Sequence, residues 1–153
     1  MQNATIAPTP FSTGYNPETN TDIIDPECQQ KFQQVIRSLL YLMLGTRLDI
    51  AFAVIKMSQF LANPSQEHLD KAKYIFCYLV GMQNYCVVFD GKKGESLQAF
   101  TNLDWASDLV KHWSTMGFFM TLASGIISWQ SRLQKTVTLS STEAEYMAMS
   151  DTC

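Results

Sequence analysis

Asn102 and Asp104 alternate along the run Phe100-Thr101-Asn102-Leu103-Asp104-Trp105, which puts their side chains on one side of a strand end. About forty residues on, Ser140-Ser141-Thr142-Glu143 reads as a capping box opening a helix that also carries Glu145. Glu143 and Glu145 stand roughly 200° apart around such a helix, so they cannot both face one strand. Glu143 is the natural partner of the Ser140 cap, which leaves Glu145 for other work. A strand acid opposite a helix acid is the least that could hold Mg²⁺ between two elements. On spacing alone, a cap plus a solvated Glu145 accounts for the same residues more simply. The other chemistry-bearing residues suggest less. His68 lies beside Glu67 and reads as a surface residue, and His112 falls in a loop between Lys111 and Trp113. Neither has a Ser or Cys partner, which argues against triad-type nucleophilic catalysis. There is no Gly-rich phosphate loop, HExxH or GxSxG.

Those residues need elements to hold them. Residues 1–24, rich in Thr, Pro and Asn and without periodicity, read as an extended arm or linker. Asp25-Pro26-Glu27 then gives a cap, a Pro at the first helical position and an early acid. Phe32, Val35, Ile36, Leu39, Leu40, Met43 and Leu44 follow at helical spacing up to Gly45. Thr46-Arg47-Leu48-Asp49 resembles a capping box for a second helix, striped by Ile50, Ala53, Val54, Met57, Phe60 and Leu61. Ser65 can cap a third, with Leu69, Ala72, Phe76, Leu79 and Val80 inward and Gly81 as its stop. The period then changes. Tyr85–Phe89, Leu97–Leu103, Gly117–Leu122 and Ile126–Gln130 read as strands, with turns at Asp90–Gly94 and Ala123-Ser124-Gly125. A strand meander followed by a helix argues for an α+β unit over residues 83–153, after a helical region over 25–82. A last helix coinciding with the chain end, with one sheet face uncovered, predicts an incomplete domain.

Bulk composition excludes several classes. The 153 residues suit one ordinary domain or one small domain with an appendage, with only 16% charged residues and a net charge of -3. A free-standing nucleic-acid binder normally shows a basic face, so charge alone votes against that partner. No apolar run approaches the ~20 residues of a membrane span, and the first 24 residues carry no Lys, Arg or apolar signal core. The expected location is cytoplasmic or nuclear, away from any membrane. Cys28, Cys77, Cys86 and Cys153 form no CxxC pair, as expected of small hydrophobes in a reducing compartment rather than zinc ligands.

Longer motifs are more specific. Ile127-Ser128-Trp129-Gln130-Ser131 and Val137-Thr138-Leu139-Ser140-Ser141-Thr142-Glu143-Ala144-Glu145-Tyr146 resemble the ISW…S…Q…VALSSTEAEY stretch of copia-type retrotransposon Pol polyproteins. Upstream, Ser38-Leu39-Leu40-Tyr41 and Thr46-Arg47-Leu48-Asp49-Ile50-Ala51-Phe52-Ala53-Val54 are similar to that family's SLLY…TRPDIAFAV segment. Asn63-Pro64, His68, Ala72-Lys73, Tyr78-Leu79 and Gly81 resemble its next helix. The resemblance runs from about Gln33 to the C-terminus. It implies a helical reverse-transcriptase connection region followed by the truncated N-terminal part of an RNase H-like domain, with an incomplete mixed sheet and one helix. In the family such a region serves Mg²⁺-dependent cleavage of RNA–DNA hybrids.

The same resemblance shows what has changed. The family strand reads roughly YSDADWAGD, so Asn102 stands where the first metal-binding Asp belongs, and Glu145 matches the second carboxylate. An amide oxygen can touch Mg²⁺ but removes a full charge from a two-cation site. Asp104 is a further candidate ligand. No Tyr-x-Asp-Asp polymerase pair is present. The family pattern is also altered at Arg37, Leu48, Val80, His112 and Leu133, with cations missing from places where the family carries them. Lys111, Arg132 and Lys135 remain as candidate nucleic-acid contacts. The expectation is a catalytically inactive Pol fragment with at most weak hybrid binding. Two alternatives stand beside it. One is a non-enzymatic module that self-associates or pairs with intact Pol or a host protein; the other is an Mg²⁺-dependent RNase H active only when complemented.

Overall fold

The computed structural model describes residues 6–12, 14–89, 96–104, 113–134, 136, 138 and 140–152. The chain forms two compact units, Met1–Cys86 and Val87–Cys153. The first is helical and the second carries a sheet with one helix, an α+β chain. The expected turn at Asp90–Gly94, together with Lys111, His112, Lys135 and Cys153, lies outside the described residues.

Helix α1 spans Pro26–Gly45, and the Asp25 side chain accepts from the Glu27 amide as its cap. Cys28, Phe32, Ile36, Leu39 and Met43 are buried along one stripe, because three-and-four spacing returns each to the same face. Val35, Leu40 and Leu44 fall off that stripe, and Leu44 is 70% exposed. A single 3₁₀ turn, Leu48–Ile50, leads into α2, Ala51–Ser58, which buries Ala51, Ala53, Val54 and Met57. The expected capping box at Thr46–Asp49 does not form: α2 begins after Ile50 with no side-chain cap. The Asp49 carboxylate is taken instead by Arg47 and Tyr78. Helix α3, Gln66–Gly81, does start with a capping box, but the residue answering Ser65 is His68. Its buried stripe is His68, Leu69, Ala72, Ile75 and Tyr78, so Ile75 and Tyr78 take the places expected of Phe76, Leu79 and Val80.

The described residues of the N-terminal segment form no helix or strand, yet they are strapped to the helices. Ala7 and Pro17 are buried, and the Phe11 ring meets Phe52 edge-on at 5.9 Å. Asn63 donates to the main-chain carbonyls of Asn20 (3.0 Å) and Asp22 (3.1 Å). Such side chain-to-backbone bonds satisfy polar groups that an extended segment cannot pair with itself. At Gly81 a Cβ would overlap the exposed Ile6 side chain, which would have to turn aside.

In the second unit β1 (Gln98–Asp104), β2 (Thr115–Leu122) and β3 (Gly125–Leu133) form an antiparallel sheet in the order β1-β2-β3. The described strands hold no parallel pair, so the expected mixed sheet is not seen among them; a parallel neighbour requires a crossover, and β2 and β3 are joined by a hairpin. Residues 85–89, expected as a strand, form none, and Tyr85, Val88 and Phe89 are exposed. Helix α4, Ser141–Thr152, packs chiefly on β1 through Ala144 and Ala148, which are fully buried and small enough for close approach.

The β2–β3 hairpin stores strain. Ala123 (φ 49°) and Ser124 (φ 63°) both sit in the left-handed region, the pattern of a two-residue type I′ turn, while Gly125 already belongs to β3. At Gly125 a Cβ would overlap the exposed Phe89 ring, which would have to swing aside. Ala123→Gly is therefore expected to raise stability by about 0.5–1 kcal/mol, because glycine adopts positive φ without a Cβ penalty. Chemical denaturation checks it, and an unchanged or lower midpoint would show that the turn is not strained.

Candidate functional site

Strand β1 alternates in exposure near its end: Asn102 and Asp104 are exposed, and Thr101 and Leu103 are half-buried. Asn102 pairs with Gly117 and Asp104 with Thr115 across the β1–β2 ladder. Facing residues of an antiparallel pair share a sheet side. Asn102 and Asp104 thus lie on the side of Phe100 and Phe119, whose rings stack at 4.8 Å. Leu103 and its partner Met116 take the other side, and Met116 is only 2% exposed. The next strand places Arg132 opposite Met116, and its guanidinium pairs with Asp151 of α4.

Helix α4 opens at Ser140, whose hydroxyl accepts from the Glu143 amide at 3.2 Å. The buried Ala144 and Ala148 set its inner face, and Glu145, one residue and about 100° away from Ala144, is exposed. Asn102, Asp104 and Glu145 are thus all solvent-facing. Among the described residues no group of three or more His, Cys, Asp or Glu gathers as metal ligands do. Beneath the start of α4, Gln134 is buried; its main-chain amide donates to Ser114 (2.8 Å) and its side-chain amide to the Ala144 carbonyl (3.0 Å). These bonds tie the segment after β3 to both the sheet and the helix. Of the expected nucleic-acid contacts, Arg132 is the one described, and the Asp151 pair already engages it.

Sequence reasoning missed the polar cluster of the helical unit. Arg47 grips Asp49 through two bonds of 2.9 and 2.7 Å, donates to the Met82 carbonyl at 3.0 Å, and lies 6.0 Å from the centre of the Tyr78 ring. The Tyr78 hydroxyl donates to the same carboxylate at 2.9 Å. Burial pushes the Asp49 carboxyl up, but the bonds from Arg47 and Tyr78 outweigh it and hold the group below the usual carboxylate range. The same burial, with Asp49 alongside, pushes the Tyr78 hydroxyl up. An Arg two residues before an Asp, at the stop of one helix, was the available signal. The cluster ties the α1–α2 turn to the end of α3.

His68, expected from sequence on the surface, is 2% exposed and stacks on Phe60 at 4.3 Å between centroids. Tyr15 of the strap is shifted as well: burial, with the Glu67 charge beside it, pushes its hydroxyl up to about 12, and the Lys71 ammonium sits 4.4 Å from its ring centre.

The chain is 44% identical over 121 residues, 79% of its length, to "Retrovirus-related Pol polyprotein from transposon TNT 1-94" of Nicotiana tabacum. It is 40% identical over 149 residues, 96% of its length, to "Retrovirus-related Pol polyprotein from transposon RE1" of Arabidopsis thaliana. It spans only 9% and 10% of those two polyproteins. It is also 38% identical over 120 residues to "Secreted RxLR effector protein 161" of Plasmopara viticola, covering 78% of this chain and 84% of that protein. No family model matches the chain, and no solved structure does. No helix among the described residues is long and apolar enough to cross a membrane.

Proposed function

The chain belongs to the copia-type retrotransposon Pol polyprotein family, and we propose that it is a non-hydrolytic segment of the reverse transcriptase/RNase H region. On this reading the helical unit is the connection region and the sheet with α4 is RNase H-like. What supports the inactivity is the donor set: an amide, Asn102, where the family resemblance puts the first carboxylate, with Asp104 and Glu145 in no acidic cluster among the described residues. Two-cation hydrolysis needs several anionic oxygens converging on ions about 3.5–4 Å apart, to offset four positive charges and align the attacking water. A neutral amide and two exposed acids do not meet that need, so Mg²⁺ chemistry is not assigned to these residues.

Weak hybrid binding belongs to the same reading. Every phosphate that a Lys or Arg neutralises releases a condensed counterion, so a surface with few cations binds weakly and with a shallow salt dependence. The test is Mg²⁺-dependent cleavage of a labelled RNA–DNA hybrid by the full chain and by Asn102→Asp. Cleavage is expected at background for both, with a binding slope in log salt shallower than about -2. Robust cleavage by the unaltered chain would overturn the inactivity. Cleavage by Asn102→Asp alone would reduce the defect to one missing charge.

One comparison favours a second reading, a non-enzymatic interaction module. Most of a protein with an effector's name, 84% of it, aligns with this chain, so a stretch of this kind also occurs as nearly a whole protein. Leu97, Phe100 and Ile127 of the sheet unit, together with Tyr146 and Met149 of α4, are exposed apolar side chains that a partner or a second copy could cover. Sedimentation with exposed-surface dye binding discriminates: a monodisperse monomer that binds no dye counts against this module.

A further inference from the structure

His68 joins two parts of the helical unit that sequence separates. Its Nδ1 accepts from the Ser65 amide at 2.9 Å and lies 2.9 Å from the Ser65 hydroxyl, while its own amide donates to that hydroxyl at 3.3 Å. A main-chain N–H can only donate, so Nδ1 must be the unprotonated nitrogen and Nε2 carries the hydrogen. The ring also interacts with the main chain of Glu18 in the strap, in the sense that favours a protonated ring. Around it, α1 and the end of α2 present the Phe32 and Phe60 rings. The titratable group acting on the ring is Glu67 on α3, while Glu18 of the strap acts through its main chain. Burial lowers the ring's proton affinity and Glu67 opposes it; burial prevails.

The residues just before the cap hold the strap. Asn63 donates to the Asn20 and Asp22 carbonyls, and the Asn20 amide donates to Asn63 Oδ1 (3.3 Å) and to the Pro64 carbonyl (3.4 Å). Cap and strap therefore share one support, the segment Asn63-Pro64-Ser65. We propose that His68 is a pH-sensitive catch: proton uptake at Nδ1 opens the first turn of α3 and frees residues 15–22 of the strap from the helical unit. Protonation converts the acceptor of the box into a donor facing the Ser65 amide, so that bond is lost and replaced by a repulsive contact. The ring is 2% exposed, so a charge on it is poorly solvated, which favours the open form.

The sign follows from linkage. The open form binds the proton more tightly than the closed form, so closure is fully present above the ordinary histidine value of about 6.5 and is lost as pH falls below it. Amide exchange on the full chain between pH 7.5 and 5, corrected for intrinsic rates, reads this out. Protection of the Ser65 amide and of peptide 15–22 is expected to fall together, by up to tenfold per pH unit. In His68→Gln the side chain still completes a capping box but does not titrate, so protection should stay flat. Flat protection in the unaltered chain, a slope surviving in His68→Gln, or loss at Ser65 without loss at 15–22 overturns the proposal. Should His68→Gln not fold, the imidazole nitrogen shifts of the unaltered chain decide. Nδ1 must be unprotonated at pH 7.5 and must titrate in step with strap release.

Discussion

Asp49→Ala is expected to lower the stability of the helical unit by about 2–4 kcal/mol, measured by denaturant unfolding. The substitution strands a guanidinium whose side chain is 10% exposed, leaving it the Met82 carbonyl and the Tyr78 side chain, and removes the carboxylate to which the Tyr78 hydroxyl donates. Removing one partner of a buried pair costs far more than the pair contributes net, because the desolvation of the survivor is no longer offset. Contrast Lys31–Glu27, a 2.6 Å ion pair whose side chains are 59% and 76% exposed: water screens it, and its removal should barely move the unfolding midpoint. The acid limb gives a second readout. The Asp49 carboxyl is held low when folded, so its contribution is present above the ordinary value of about 3.9 and disappears as pH falls through the folded value. Asp49→Ala should flatten the stability profile below about pH 4 and leave the limb due to His68, which begins below the ordinary histidine value of about 6.5, unchanged. A loss below about 1 kcal/mol would mean that water reaches Arg47 freely.

Asp49 also shows where sequence reading reaches its limit. Thr-x-x-Asp before an apolar stripe satisfies a capping pattern, but the nearer Arg47 forms a charged, two-pronged bond that a single backbone amide cannot rival. Tertiary partners such as Tyr78, 29 residues away, are invisible to local spacing. His68 escapes sequence reading for the same reason. Its polar neighbours in sequence suggest a surface, while Phe60 and Phe32 bury it. What local physics controls was legible: the Asp25 cap, the Phe32-Ile36-Leu39-Met43 stripe and the Ser140 cap all stand where spacing puts them. On α3 the spacing points to a stripe rotated from the buried one, favouring Phe76 and Val80 over Ile75 and Tyr78. An apolar helix with several hydrophobic columns gives periodicity no unique phase. The β-rich Tyr85–Phe89 has propensity but no strand to pair with, and propensity alone does not make a ladder. For the candidate site, alternation alone places Asn102 and Asp104 on one exposed side. Their bearing on function is legible only through the family resemblance, since an exposed Asn and Asp on a strand are otherwise ordinary.

Phe32→Ala should be more damaging still, at about 3–5 kcal/mol. Phe32 is 0% exposed on the inner stripe of α1, and its ring meets His68 at 6.5 Å, tilted 61°. Truncation removes the transfer free energy of the ring and leaves a cavity that rigid helices only partly close. For a unit of this size a loss of about 3 kcal/mol corresponds to a fall of at least about 12 °C in Tm. The cavity also changes chemistry. With one aromatic wall gone, water can reach the His68 ring, and its proton affinity should move back toward that of a free histidine. Phe32→Ala is thus expected to flatten the pH dependence of strap release, because the open and closed forms then bind the proton about equally, whereas Phe32→Leu, which refills most of the volume, should cost less than half as much and leave that dependence nearly unchanged. A destabilisation without any shift in the His68 titration would separate the two roles, leaving Phe32 as core packing and the strap catch dependent on Phe60 alone, whose ring lies stacked 4.3 Å from the imidazole.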